Sequence, residues 1–276
     1  MTHEIQPLIP VPKLTDKRMK ELYDELMKQP IPGNIRNQEN YILLEAKQHG
    51  SYSYPDLLVS MHRLSLTPKV EQAAGKLSLK VSNTAKEQDG HQYIGNIQWE
   101  PALKLNLLLG NLTLNPRQFI DFKELLEEGI KGKKVYNGSG MLIDSKVLEG
   151  VYDEIFKVRA PWRAEWLDAD FNVINQVLHI NYNHRIVNSS LQPQNSEPLE
   201  ACLMKNCYVD LASANKQGLP IKESKTKEIY YWYPRNDNNS VAWFDADSDW
   251  AYLGCIRLPR YSYSELGVRG AKNKVN

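Results

Sequence analysis

The sequence predicts an α+β fold, on three observations. Apolar residues between Asn115 and Phe156 recur at helical spacing behind two sharp start signals. Strand-like alternation precedes this pair from Lys76 and takes over almost everything after Pro161. With 276 residues, 42% of them hydrophobic, the chain can also fill the core of one large domain or of a main domain with an attachment.

In chain order the first element is a helix after Thr15 and Asp16, with Met19, Leu22, Tyr23, Leu26 and Met27 at helical spacing until Pro30, Pro32 and Gly33 stop it. A second helix is expected over residues 35–48. A third starts at Pro55, capped near Ser53, and carries Leu57, Leu58, Met61 and Leu64. Residues 1–75 are therefore expected to form a helical N-terminal unit ahead of a main domain over 76–276. From Lys76, Leu77, Leu79 and Val81 alternate with polar neighbours, and Ile97, Trp99, Leu103, Leu105 and Leu107 read as further extended chain.

Asn115 before Pro116 is a cap with proline at the first helical position, leading into Phe119, Ile120, Leu125 and Leu126. Asp144 and Ser145 open the next helix, with Val147, Leu148, Val151, Tyr152, Ile155 and Phe156 on one stripe. KGKKVYNGSG joins the two as a flexible, glycine-rich connection. AEWLDADFNV, VLHINYNHRI, EIYYWYP and residues 243–269 supply the late strands, with a polar loop among them.

The charge balance narrows the partners. Thirty-four basic side chains face 33 acidic ones, a net charge of +1, which provides no positive field for a polyanion, so no nucleic-acid partner is expected. No run approaches the ~20 apolar residues that span a bilayer, so no membrane insertion is expected either. MTHEIQPLIPVPKL lacks the basic start and apolar core of an export signal. The cytoplasm is the default location, with surface display left to a partner. Cys202, Cys207 and Cys255 are odd in number and lack CxxC spacing, which indicates neither a disulfide framework nor a zinc site.

Several candidate sites resolve into ordinary structure. Asp245, Asp247 and Asp249, taken as three carboxylates on one face of a strand, begin like an EF-hand loop. The sixth position of that loop should be glycine and is Trp250, and the twelfth should be a bidentate glutamate and is Ile256. His179 and His184, five apart on a strand, point to opposite faces and read as two ordinary strand histidines. The GSG at Gly138 to Gly140 has neither the Walker lysine nor a preceding strand. Cys255 shares the parity of Ala251 and Leu253, so it reads as buried rather than nucleophilic. The aromatic run Tyr230 to Tyr233 offers a ligand platform but reads more readily as core or support, and Trp162 and Trp166 read as core. No metal and no cofactor are expected.

The stretch WFDADSDWAYLGCIRLPRYSYSELGVR, residues 243–269, separates into two series. Ala246, Ser248, Ala251, Leu253, Cys255, Pro259, Ser262 and Leu266 are small or apolar. Between them stand residues that share neither charge nor size. A strand with one face inside accounts for the alternation but not for the mixture. The genetic code accounts for it: Asp, Tyr, Gly, Ile, Leu, Arg and Ser are each reached from the asparagine codon AAC by changing only adenines, and Trp is reached from the arginine codon AGG. With asparagine restored at positions 245, 247, 249, 252, 254, 256, 258, 261 and 263, and arginine at 243 and 250, the series becomes nearly uniform.

That pattern, with the frame SVA-x-F-x-A-x-S from Ser240 to Ser248, the Leu253 to Cys255 step, Pro259 and the closing LGVR at Leu266 to Arg269, resembles the variable proteins of diversity-generating retroelements. YYWYPRNDNNS and PWRAEWLDADF carry the resemblance upstream, and it extends from about residue 77 to the end. In that family an error-prone reverse transcriptase copies a template repeat, misreads its adenines and writes the product into a C-terminal variable region, here about residues 236–269.

The resemblance implies a C-type lectin fold of the formylglycine-generating-enzyme subtype, with two helices, a mixed core and a late antiparallel sheet displaying the variable residues. It implies a non-enzymatic scaffold whose ligand-binding positions are Trp243, Asp245, Asp247, Asp249, Trp250, Tyr252, Gly254, Ile256, Leu258, Arg260, Tyr261 and Tyr263. Asn236, Asp237 and Asn238 either extend this set or serve turn chemistry. Tyrosine and tryptophan offer rigid contact area at low entropy cost, which suits a macromolecular target, a protein rather than a small molecule. Two other classes stay open. A formylglycine-generating-enzyme-like oxidoreductase relies on a cysteine pair, and Cys255 has no near partner in sequence. A calcium-dependent sugar lectin carries EPN or QPD followed by WND, which are absent here.

Overall fold

Residues 38–83 and 92–274 are described in the computed structural model, so the helix expected after Thr15 lies outside the described residues. The strands of the first third are β1 (Tyr41–Leu44), β2 (Lys47–His49), β3 (Tyr52–Tyr54), β4 (Leu57–Arg63), β5 (Ser82–Asn83) and β6 (Ile94–Gly95). Four helices accompany and follow them: α1 (Pro68–Lys76), α2 (Trp99–Leu108), α3 (Pro116–Ile130) and α4 (Ser145–Phe156). The later strands begin with β7 (Arg163–Ile174), β8 (Val177–Tyr182), β9 (Arg185–Val187), β10 (Ser190–Gln192), β11 (Asn195–Pro198) and β12 (Cys207–Val209). They end with β13 (Ile229–Trp232), β14 (Ser240–Ala246), β15 (Ala251–Arg257), β16 (Leu266–Gly267) and β17 (Arg269–Asn273). The fold is mixed α+β, as the sequence predicts. No helix among the described residues is long and apolar enough to cross a membrane.

An eight-stranded sheet organises the molecule, in the order β11-β8-β7-β14-β15-β13-β12 with β16 added beside β7. β14 lies near its middle, antiparallel to both β7 and β15, and all seven of its residues are buried because both faces are covered. On one face Ala242, Phe244 and Ala246 join Leu253 and Cys255 in the main core. There the Phe244 ring packs 5.1 Å from Phe119 of α3 and 5.0 Å from Phe156 of α4. On the other face Val241 and Trp243 join Trp166 and the apolar side of α2 in a second cluster. β13 pairs with β15 in parallel, so the late sheet is mixed rather than wholly antiparallel.

The two middle helices form where their local signals place them. The Asn115 side chain accepts from the Gln118 N–H while Gln118 Oε1 accepts from the Asn115 N–H, a reciprocal cap. At α4 the Asp144 carboxylate accepts from the Lys146 N–H. The closing LGVR ends in Arg269, whose guanidinium is buried between Glu165 on β7 (2.9 Å) and Glu154 on α4 (2.6 Å). Arg63 on β4 bonds the other oxygen of Glu154 at 2.9 Å, so four elements meet on one charged cluster.

The N-terminal third departs from expectation. In place of helices over 35–48 and from Pro55, the described chain forms β1, β2 and β4. β4 pairs with β1 on one side and with β17, about 200 residues away, on the other. Its burial on both faces produces a nearly continuous apolar run that sequence cannot tell from a buried helix. The described part of residues 1–75 is therefore no separate helical unit: Ile42, Leu44, Leu57 and Val59 share a core with Phe119 and Phe244. The extended reading of residues 97–107 is also overturned. They fall largely within α2, which buries Trp99, Ala102, Leu103, Leu105, Asn106 and Leu108 and so shows no clean stripe. Leu77, Leu79 and Val81 follow the end of α1 rather than building a strand. Trp162 is 48% exposed, not core, whereas Trp166 is fully buried. The GSG link is an ordered turn: the Gly138 N–H donates to the carbonyls of Gln38 and Tyr41, and Asn137 Oδ1 accepts from Ser139 and Met141.

Candidate ligand-binding site

The second face of the late sheet opens into a cleft of about 700 Å³. β13 contributes Tyr230 and Trp232, β14 contributes Trp243, and β15 contributes Tyr252, Ile256 and Arg257. The turn after β14 supplies Asp247 and Trp250, the chain after β15 supplies Leu258 and Tyr261, and the β13–β14 connection supplies Arg235. Six aromatic side chains thus surround one hollow, the composition of a recognition surface.

Of the sequence-predicted positions, Trp243, Asp247, Trp250, Tyr252, Ile256, Leu258 and Tyr261 line this cleft together. Their exposure is far from uniform. Trp250 and Tyr261 are 45% and 41% exposed, whereas Trp243 is buried against Arg257, which lies 4.4 Å over its ring. Trp250 also stacks on Tyr208, ring centroids 5.9 Å apart and planes within 4°. Asp249 and Arg260 are exposed outside the lining, and Gly254 is buried beneath the Trp243 ring.

The three aspartates go separate ways rather than sharing one strand face, because β14 ends at Ala246. Asp245 is buried and accepts hydrogen bonds from the hydroxyls of Tyr252 and Tyr263. Burial pushes its carboxyl upward, against those hydrogen bonds. Asp247 shapes the turn, its Oδ1 accepting from the N–H groups of Asp249 and Trp250 at 2.7 Å. Asp245, Tyr263 and, in part, Tyr252 therefore support the cleft from within instead of facing solvent. Ser248, expected inside, is exposed in the same turn. Asn238 has a positive φ of 56° and its side chain accepts from the Val173 N–H, which is turn chemistry.

Arg257 and Arg235 escape the sequence reading, which takes Tyr230 and Trp232 for core or support rather than for a ligand platform. Arg257 has the parity of Leu253 and Cys255, which face the core. The pairing of β14 with β15 shifts by one residue, however, from Val241 opposite Arg257 to Trp243 opposite Gly254. This bulge turns both Ile256 and Arg257 toward the cleft. In the aromatic run, alternation divides the roles: Tyr231 is buried in the main core while Tyr230 and Trp232 face the cleft.

Two other clusters have structural roles. His184 is not a strand histidine; it follows β8, is buried, and is held by Asp168 at Nδ1 and by Asp170 at Nε2, the latter at 3.0 Å. Burial disfavours the imidazolium, but these carboxylates more than offset it and hold the pKa up at about 9. The signal lay in Asp168 and Asp170 of DADF, legible only once the β7–β8 hairpin register is known. Burial pushes the Cys202 thiol up to about 11 and the Cys255 thiol well above its usual range, so both are protonated at neutral pH. Among the described residues no group of three or more His, Cys, Asp or Glu is placed to hold a metal ion. No protein-family model, curated protein or solved structure matches the chain.

Proposed function

We propose that this chain is a diversified binding protein of a diversity-generating retroelement, and that its fold is the formylglycine-generating-enzyme-like form of the C-type lectin fold. The observation that carries the reading is convergence. Seven of the twelve positions picked out by strand parity, codon logic and the resemblance, scattered from Trp243 to Tyr261 over two strands and two loops, line a single aromatic cleft. The helix pair α3 and α4 against a late sheet is the arrangement the resemblance calls for. The constant series supports the same division: Ala246, Ala251, Leu253, Cys255 and Leu266 are all buried.

The chemistry follows from that division. Frame residues hold β14 and β15 on the helix pair, while the opposite face presents tyrosine, tryptophan and polar groups to a protein surface. No step of bond making is assigned to it. The decisive experiment is to sequence the gene's own locus. A neighbouring reverse transcriptase, with a near-copy of the segment encoding residues 236–269 that differs almost wholly at adenines, supports the reading. A locus with neither would sink it.

A further inference from the structure

Arg257 stands outside the positions picked out by codon logic, yet it occupies the cleft. Its guanidinium lies 4.4 Å from the ring centroids of both Trp243 and Tyr261. Two rings against it hold the group in place in the wall of the cleft. Arg257 forms no ion pair among the described residues, and its buried Nε–H has no acceptor there. The buried Nε1–H of Trp243 is unpaired as well. A buried donor without an acceptor costs about 1 to 3 kcal/mol; Asp245, the register partner of Tyr252, likewise keeps a buried oxygen, Oδ1, without a donor.

Two carboxylates stand near Arg257, and neither forms an ion pair with it among the described residues. Asp247 has one carboxylate oxygen committed to its own turn, and Asp245, whose carboxyl burial raises and the charge of Arg257 lowers, accepts from two tyrosine hydroxyls at Oδ2 and makes no hydrogen bond or ion pair with Arg257 among the described residues. Arg235, the other cation lining the cleft, pairs with Asp237 at 2.9 Å. A single unpaired guanidinium among aromatic rings suits one forked carboxylate beside an apolar group. It does not suit a polyphosphate or nucleic acid, which needs several cations.

We infer that Arg257 is a constant anchor for a carboxylate, presented by an Asp or Glu side chain of a protein partner whose adjacent apolar or aromatic side chain enters the cleft. The inference rests on the proposed function in taking this face as the binding face. It adds that the face keeps one fixed charge contact while the side chains around it change.

The test selects a display library of short random peptides on the immobilised full chain, wild type and Arg257→Gln in parallel. On the wild type, Asp and Glu beside an apolar residue are expected to be enriched; on Arg257→Gln that enrichment disappears. A Glu→Gln change in a selected peptide should then weaken binding to the wild type by about tenfold or more, and to Arg257→Gln by less than about twofold. Arg257→Lys, which keeps the charge but loses the flat fork, should lose part of the preference; it carries the test if thermal melting shows Arg257→Gln to be misfolded. No acidic enrichment on the wild type, or unchanged enrichment on a folded variant, overturns the anchor. The parent reading fails separately: a template repeat at the locus without acidic preference would remove the anchor alone. Acidic preference without any repeat would remove the retroelement and leave the anchor.

Discussion

The indole of Trp243 lies over the backbone of Gly254, its register partner across β14 and β15, so closely that a Cβ at position 254 would stand 2.0 Å from the ring. Two of the positions proposed to vary are thus not independent. Gly254→Ala should destabilise the protein by about 1 to 3 kcal/mol through overpacking. In a Trp243→Ala background the same change should cost little. A double-mutant cycle read by urea unfolding should give a coupling of about 1 to 3 kcal/mol; additive effects would mean that the ring simply swings aside.

The two faces of β14 and β15 should respond oppositely to truncation. Phe244→Ala removes a ring packed between α3 and α4 and should cost about 3 to 5 kcal/mol, with Leu253→Ala close behind at about 2 to 5. Tyr261→Ala and Trp250→Ala, at half-exposed sites, should cost about 1 kcal/mol or less, Trp250 losing chiefly its stack on Tyr208. Tyr252→Ala should fall between, because it removes a hydrogen bond from buried Asp245. Equal losses on both faces, by denaturant midpoint, would dissolve the distinction between frame and display.

What was legible in the sequence is what is decided locally. Asn115 with Pro116 and Gln118, and Asp144, set their helix starts within one turn of chain, so α3 and α4 were readable. The alternation from Ala251 to Cys255 was readable because one face of β15 is core. β4 was not readable, since its strand character depends on pairing with β17 at the far end of the chain. Nor was α2, buried on most sides and lacking a side-chain cap bond at Gln98. Within the cleft, codon chemistry picks out four of the six aromatic residues, Trp243, Trp250, Tyr252 and Tyr261, and passes over Tyr230 and Trp232. Arg257 was hidden by a one-residue register shift that strict parity cannot anticipate.

His184 makes stability depend on pH. Its folded pKa of about 9 lies above the usual 6.5, so the stabilisation from Asp168 and Asp170 is complete below about pH 6.5 and is lost as pH rises through about 9. The shift corresponds to about 3 kcal/mol at a site this buried. His184→Gln should melt lower than the wild type at pH 6, and the gap should narrow by pH 10. A gap independent of pH would assign the residue to packing against Trp99 alone, which it meets edge-on at 5.1 Å.

Glu154 and Glu165 share Arg269 but should not be equivalent. Burial raises both carboxyls, yet Arg269 and Arg63 together overcome it at Glu154 and hold that group at about 2. At Glu165 burial prevails over Arg269, with the charge of Glu154 adding to it, and the carboxyl stays above its usual value. The folded state therefore favours the charged form of Glu154 and resists that of Glu165. For Glu154 the stabilisation is complete above its unfolded value of 4.5 and is lost as pH falls toward 2; for Glu165 it is present at low pH and lost as pH rises. Glutamine imitates a protonated glutamate, so at pH 7 Glu154→Gln should destabilise by about 3 kcal/mol and Glu165→Gln by about 1 or less. Urea unfolding of both variants at pH 7 and pH 4 distinguishes the pair, because the deficit of Glu154→Gln should begin to shrink at the lower pH. Equal losses at pH 7 would mean that Arg269 shares its charge evenly, and that Arg63 adds nothing at Glu154 beyond packing.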